Sequence, residues 1–167
     1  MSRTSFCHHI ALTLLLSSSA QGLDAPSNIV SLAPHITEIL YAIGAGEQLV
    51  GADEYSDYPA AALELPRVSN YAGANYEQIV ALQADLVIGW ESGNGEKMVA
   101  PLRKLGIPIV MVEARQLDDI PASVEQLSAL VGRPEQGQRV AAGLSQRLTA
   151  LRKRYQKSSP VRYFYQI

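Results

Sequence analysis

His35 is the residue whose type could carry the most chemistry. His8 and His9 lie in an N-terminal stretch read below as removable, which leaves His35 as the lone histidine. One imidazole cannot build a multi-histidine metal site. A serine–histidine–acid set would have to use it, yet the chain has no Gly-x-Ser-x-Gly elbow. The segment GAGEQLVG, residues 44–51, contains Gly-x-Gly but follows a helical pattern, whereas a dinucleotide fingerprint follows a strand. ESGNGEKM, residues 91–98, does follow a strand pattern and offers Gly93, Gly95 and Lys97, but it lacks the Walker spacing and its Ser/Thr. The adjacent Asp118 and Asp119 read as helix caps rather than an acid pair. These residues do not assemble into an enzyme. A secreted nucleotide-dependent enzyme domain is the alternative of a different class.

The elements that would position these residues follow from periodicity. Ile29–Leu32 reads as a strand, and Pro34 opens a helix with Ile36, Ile39, Leu40 and Ile43 on one face, ended by Gly44 and Gly46. Leu49–Ala52 is a second strand. Residues 51–73 read as a long loop with one short strand. Asn75, with Gln78 three residues on, matches a capping box ahead of Ile79 and Leu82. Asp85–Ile88 is a strand ending in Gly89-Trp90. The loop ESGNG leads to a helix carrying Met98, Leu102 and Leu105. Ile107–Val112 is the next strand, and Asp118 caps a helix with Ile120, Val124, Leu127 and Leu130. Four strands alternating with helices imply an α/β, Rossmann-like lobe: a parallel sheet with helices on both faces.

Pro134 begins a different kind of element. Val140, Leu144, Leu148, Leu151 and Tyr155 mark an apolar stripe that runs toward Lys157. At ~1.5 Å per residue such a rod is about 36 Å long and outgrows the sheet unit. Its last turns carry Arg152, Lys153, Arg154 and Lys157, which suits the negative end of a helix dipole. Residues 161–167, VRYFYQI, form a β-type run. A strand there needs a neighbour, so the expectation is a truncated chain whose second lobe is missing.

Composition sets the outer limits. The 167 residues suit about one domain. With 47% hydrophobic and 18% charged residues the chain is an ordinary globular mixture, not a disordered one. Fourteen basic against 16 acidic residues leave no excess for a phosphate backbone, so nucleic acid is not an expected partner. The N-terminal residues combine Arg3, the apolar run Ile10–Leu16 and the small residues Ser17–Ala20, the outline of a secretory signal peptide. Cleavage would remove Cys7, the only cysteine, so export to an oxidising compartment would be harmless. The expected organisation is a signal peptide at 1–22, an α/β ligand-binding lobe at 23–132, a long helix at 133–158 and the first strand of a second lobe at 159–167.

Four segments sharpen this outline: SLAPHITEILYAIGAG at 31–46, YSDYP at 55–59, RVSNYAGANYE at 67–77 and DLVIGW at 85–90. In that order and spacing the chain resembles the periplasmic substrate-binding proteins of ABC importers whose two lobes are joined by one rigid helix. Within them it is most similar to the cobalamin-binding type. Relatives that bind ferric siderophores or haem share the first and last segments. The resemblance implies a ligand held in the cleft between two lobes, no catalytic machinery, no cofactor beyond the cobalamin cargo, small closure movements, and docking as a monomer on a membrane permease.

The resemblance also points to residues. Tyr55, Tyr71 and Trp90 match aromatic ligand-binding positions, Tyr71 standing where relatives can have Trp. All three fall at or after strand ends, where open α/β sheets bind ligands. Each has a plainer reading, as loop packing or a cap on the sheet. Asp57, Asn70, Gly73 and Asn94 could supply hydrogen bonds to a corrinoid rimmed with amides, or simple turn chemistry. Glu77 matches a glutamate that docks on permease arginines; equally, a carboxylate in a first helical turn stabilises the helix. No metal site is expected. If the ligand were haem, Tyr55, Tyr71 or His35 would have to meet the iron.

Overall fold

A computed structural model describes residues 25–165; the expected signal peptide lies outside them. The sheet has six strands: β1 (Ile29–Ser31), β2 (Leu49–Asp53), β3 (Arg67–Asn70), β4 (Gly73–Ala74), β5 (Leu86–Trp90) and β6 (Ile109–Val112). Their order is β4-β3-β2-β1-β5-β6. All neighbours are parallel except β3 and β4, which pair antiparallel as a short edge hairpin. The expected parallel sheet is present, and residues 51–73, read as a loop with one short strand, contain two, β3 and β4. β3 and β4 are too short and too polar to show a period of their own. Ile107 and Pro108 precede β6 rather than belonging to it, since proline cannot donate to a ladder.

The helices are α1 (Pro34–Ala42), α2 (Tyr76–Ala81), α3 (Glu91–Lys104), α4 (Asp119–Leu130) and α5 (Pro134–Tyr155). They cover both faces. Ile29, Leu86 and Ile88 point to α1, α4 and α5, with Ile36, Leu40, Leu127 and Ala141 in one core. Val30 and Val87 point the other way, into a second core with Ile79, Val99 and Leu102. Successive residues of one strand feed opposite cores because side chains alternate across a pleat. Burial on both faces is why these strands are apolar throughout.

Three local features differ from their sequence signals. ESGNG is not an open loop: residues from Glu91 are already helical, and the chain breaks only at Gly95, whose φ of 64° interrupts α3. Asp118 stands at the N-terminus of α4 but does not cap it through its side chain. Its carboxylate instead meets the Arg152 guanidinium at 2.7 and 2.9 Å, and Asp119 accepts the backbone N–H groups of Arg115 and Gln116. Residues 159–165 are exposed and form no ladder, having no neighbouring strand among the described residues.

α5 is a rod of 22 residues, about 33 Å long, and its first half is fastened to α4. The fastening is Gly137: a Cβ there would lie 1.8 Å from Ser128 Oγ and 2.2 Å from Ser128 Cβ. Alanine at this position gains about 1 kcal/mol of helix propensity, against an overpacking cost of about 1–3 kcal/mol. Gly137→Ala is therefore expected to lower stability, read as an earlier urea midpoint. An unchanged or later midpoint would show that the two helices slide apart freely.

Candidate ligand-binding site

The sheet order reverses at β1: its neighbours, β2 and β5, belong to crossovers that run in opposite directions. In open α/β sheets the crevice beyond the strand ends at such a point is where ligands sit. Four rings line this C-terminal edge. Tyr71 follows β3, Tyr55 follows β2, His35 lies in the first turn after β1, and Trp90 ends β5. These strands are consecutive in the sheet, so the row spans three inter-strand spacings, about 14 Å. Tyr71 is 88% exposed, Tyr55 55% and Trp90 38%. Aromatics left this open in a folded chain offer faces to something else.

Polar groups fix the backbone that carries Tyr55, Tyr71 and Trp90. The buried Asp53 accepts the Tyr55 N–H at 3.0 Å and the Ser69 hydroxyl at 3.1 Å. Arg67 donates to the carbonyls of Asp53 and Ser56 at 3.1 and 3.0 Å, closing the Tyr55 loop. The Ser56 hydroxyl lies 2.9 Å from Thr37 Oγ1, which donates to Ser31 Oγ at 2.9 Å, which donates to the Ala33 carbonyl at 3.0 Å. Because each hydroxyl has one proton, Ser56 is the donor to Thr37. This buried relay joins β1, α1 and the Tyr55 loop. Tyr71 sits on a turn closed by Asn70 Oδ1, which accepts the Ala72 N–H at 2.9 Å.

Trp90 is held most firmly. Asn94 Oδ1 accepts the Trp90 backbone N–H at 2.6 Å, while the Asn94 amide donates to the Leu32 carbonyl at 2.9 Å. Asn94 thus clasps the ends of β1 and β5 together, and its polar atoms are occupied in the fold. The indole lies over Gly93, where a Cβ would come within 2.0 Å of Trp90 Cε3. His35 meets the indole edge-on, with centroids 5.5 Å apart and planes at 88°. Burial lowers the His35 pKa from its ordinary value, against the opposing pull of Glu38 and Glu113, so the imidazole is neutral at pH 7. Glu113, just after β6, accepts the Ser92 hydroxyl at 2.5 Å and the Ser92 N–H at 2.9 Å. The hydroxyl bond foremost holds its carboxyl below the usual range.

Glu77 follows the β3–β4 hairpin that carries Tyr71. It is exposed in the first turn of α2, behind the Asn75 cap, whose Oδ1 accepts the Gln78 N–H at 3.1 Å. The Gln78 side chain meets the Asn75 amide instead of completing a capping box through the backbone. A cavity of about 660 Å³ shares His35 and Trp90 with the aromatic edge and extends between α1, α4 and α5. Sequence periodicity offers no sign of it, because its apolar lining, including Val124, Val140 and Leu144, reads as ordinary helix core. Among the described residues no three His, Cys, Asp or Glu side chains gather as a metal site. No described helix is long and apolar enough to cross a membrane.

The pattern of the periplasmic binding protein family matches residues 29–167. The vitamin B12-binding protein of Vibrio parahaemolyticus is 44% identical over 156 residues, 93% of this chain and 57% of that protein. That of Vibrio cholerae is 48% identical over 139 residues, 83% of this chain and 50% of the relative. The chain spans about half the length of the curated relatives it matches. Among solved structures, the periplasmic vitamin B12 binding protein BtuF of Vibrio cholerae superposes with a TM-score of 0.79 at 48% identity, covering 84% of this chain and 55% of that one. The periplasmic haem-binding protein RhuT from Roseiflexus sp. RS-1 gives 0.73 at 31% identity, covering 80% and 52%.

Trp90 is the sole tryptophan, so intrinsic emission reports this edge alone. Gly93→Ala must turn the indole aside, and the expected result is a shifted emission maximum with an unchanged far-ultraviolet dichroism spectrum. Identical emission from the two proteins would mean that the ring does not rest on Gly93.

Proposed function

Because the chain belongs to the periplasmic binding protein family, we propose that it is the ligand-capturing component of an ABC importer and that its ligand is cobalamin or a close corrinoid. The observation that carries this reading is the row of exposed rings, Tyr71, Tyr55, His35 and Trp90, along one sheet edge. A corrinoid is a broad, mostly apolar disc rimmed with amides. It calls for aromatic faces and a few neutral hydrogen bonds rather than for charge. Tyr55, Tyr71 and Trp90 are the stacking residues in this reading. The names of the relatives from both Vibrio species agree with it.

The full protein then works as a two-walled clamp. This lobe supplies one wall, a second lobe the other, and α5 joins them stiffly, so closure is slight. The role is capture and delivery, without catalysis. Residues 1–22 direct export to the periplasm and are removed there. Glu77, exposed in the first turn of α2, docks on cationic residues of the permease. Haem is the second reading, favoured by the neutral imidazole of His35 standing at the site and by the likeness to a haem-binding neighbour. The absorption spectrum of a co-purified ligand separates corrinoid from haem directly.

In the full-length protein, Trp90→Ala is expected to weaken cobalamin binding by about 1–3 kcal/mol through lost aromatic packing, with the fold intact. Calorimetry showing wild-type affinity would remove Trp90 from the site. Glu77→Arg is expected to bind cobalamin normally but to fail in transport by vesicles carrying the permease. Normal uptake by that variant would refute the docking role.

A further inference from the structure

Trp90 is partly exposed and also borders the 660 Å³ cavity, so open space lies beside the indole. Gly93 lies beneath one face and His35 meets the ring edge-on. Those contacts pack the ring; its N–H, which can only donate, calls for an acceptor of its own. The backbone under the ring also needs outside support. α3 breaks at Gly95 after its first turn, and Trp90, at the N-cap, supplies no capping side chain. Glu113 reaches this turn from the neighbouring strand. Trp90 pairs with Val112 in the β5–β6 ladder, which sets Glu113 beside the start of α3. One oxygen of its carboxylate accepts the Ser92 hydroxyl at 2.5 Å and the Ser92 N–H at 2.9 Å. The Trp90 indole N–H faces the same carboxylate. The Ser92 hydroxyl foremost, and the indole with it, hold the Glu113 carboxyl below its usual range, so it is ionised and accepting at neutral pH.

We propose that Glu113 is a positioning residue for Trp90: by joining the indole N–H to the Ser92 turn, it keeps the ring from swinging into the adjoining cavity and holds it ready for ligand. The inference rests on the reading of Trp90 as a stacking residue. A ring fixed before ligand arrives does not have to be ordered on binding. The role calls for a carboxylate rather than for any side chain of that length. Three donors converge on it, and both Ser92 bonds fall on one oxygen. Glutamine can keep the Ser92 bonds with its single oxygen, but its amide N–H groups then meet the indole N–H donor against donor. A substitution of the same shape therefore separates support of the turn from control of the ring.

The test is Glu113→Gln in the full-length protein, read first without ligand. In a proton–nitrogen correlation spectrum the Trp90 indole N–H is the cross-peak missing from Trp90→Phe. In the wild type it is expected downfield of its random-coil position and slow to exchange with water. A random-coil, fast-exchanging indole there would overturn the proposal before any variant is made. Glu113→Gln should move the peak upfield and speed its exchange, with little change in the urea midpoint because the Ser92 bonds survive. Calorimetry with cyanocobalamin should then show a loss of roughly fivefold in affinity, the ordering cost of one freed side chain. An unmoved indole peak, with or without an earlier urea midpoint, would make Glu113 merely structural and overturn the proposal. So would a moved peak with wild-type affinity while Trp90→Ala binds weakly. Wild-type affinity in Trp90→Ala itself would instead remove the ring from the site, and this inference with it.

Discussion

A relay of three buried hydroxyls, from Ser56 through Thr37 to Ser31 and on to the Ala33 carbonyl, sets the geometry of the sheet edge. Each link contributes only about 1 kcal/mol, but a buried hydroxyl left without a partner costs about 1–3 kcal/mol. The relay is therefore satisfied as a whole or disrupted as a whole. It ties the loop after β2 to the helix after β1, which fixes where Tyr55 stands relative to His35. Asn94 makes the matching tie on the other side, between Leu32 and Trp90. With both ties made, β1 is clasped to its neighbour on either side, and the aromatic row becomes a fixed surface rather than a set of mobile loops. Binding to such a surface avoids much of the ordering cost that mobile side chains would impose.

The charges at this edge are arranged to suit a neutral ligand. Burial lowers the His35 pKa, so the folded state disfavours the imidazolium. The unfolded chain then binds more protons between the folded pKa and the ordinary one near 6.5, and that part of the stability is full above 6.5 and declines as pH falls through the window. Glu113 stays ionised, its carboxylate satisfied by Ser92. At neutral pH the rings present no net charge of their own.

How much of this was legible in the sequence depends on the range of the interaction. The central strands were readable because burial on both faces makes them apolar runs, and α5 because its stripe repeats every turn. The aromatic edge was legible only as positions: Trp90 at a strand end, Tyr55 and Tyr71 in loops. What holds them was not. Ser31 and Thr37 look like unremarkable polar residues, and their link to Ser56 spans 19 positions. Asn94 appeared available to a ligand, yet its amide is used by Leu32, 62 positions away. Asp118 carried a cap signature, but Arg152, 34 positions on, competes successfully for its carboxylate. Gly93 and Gly137 matter for what a Cβ would strike, and a sequence does not say what lies opposite a glycine. For Asn94 and Asp118 a local rule singled out the residue, and a distant partner decided its use.

The same contrast explains how α5 can serve as a rigid arm. Its first half is fixed by packing, with Gly137 and Ala141 buried against its neighbours. Beyond that, its apolar stripe outruns the lobe: Leu144 and Leu148 are half-buried, whereas Leu151 and Tyr155 are exposed. The second restraint is the Arg152–Asp118 pair near the far end. It is solvent-exposed, so its worth lies less in stability than in direction. A bidentate contact has one preferred geometry, and placed far from the Gly137 contact it has the longest lever against tilting. Two restraints separated along a stiff helix fix the direction of the rod as well as its position. In the two-lobed reading proposed above, a second lobe carried on such an arm would be held at a nearly constant distance. That suits a clamp whose selectivity comes from the shape and chemistry of its walls rather than from a large closing motion.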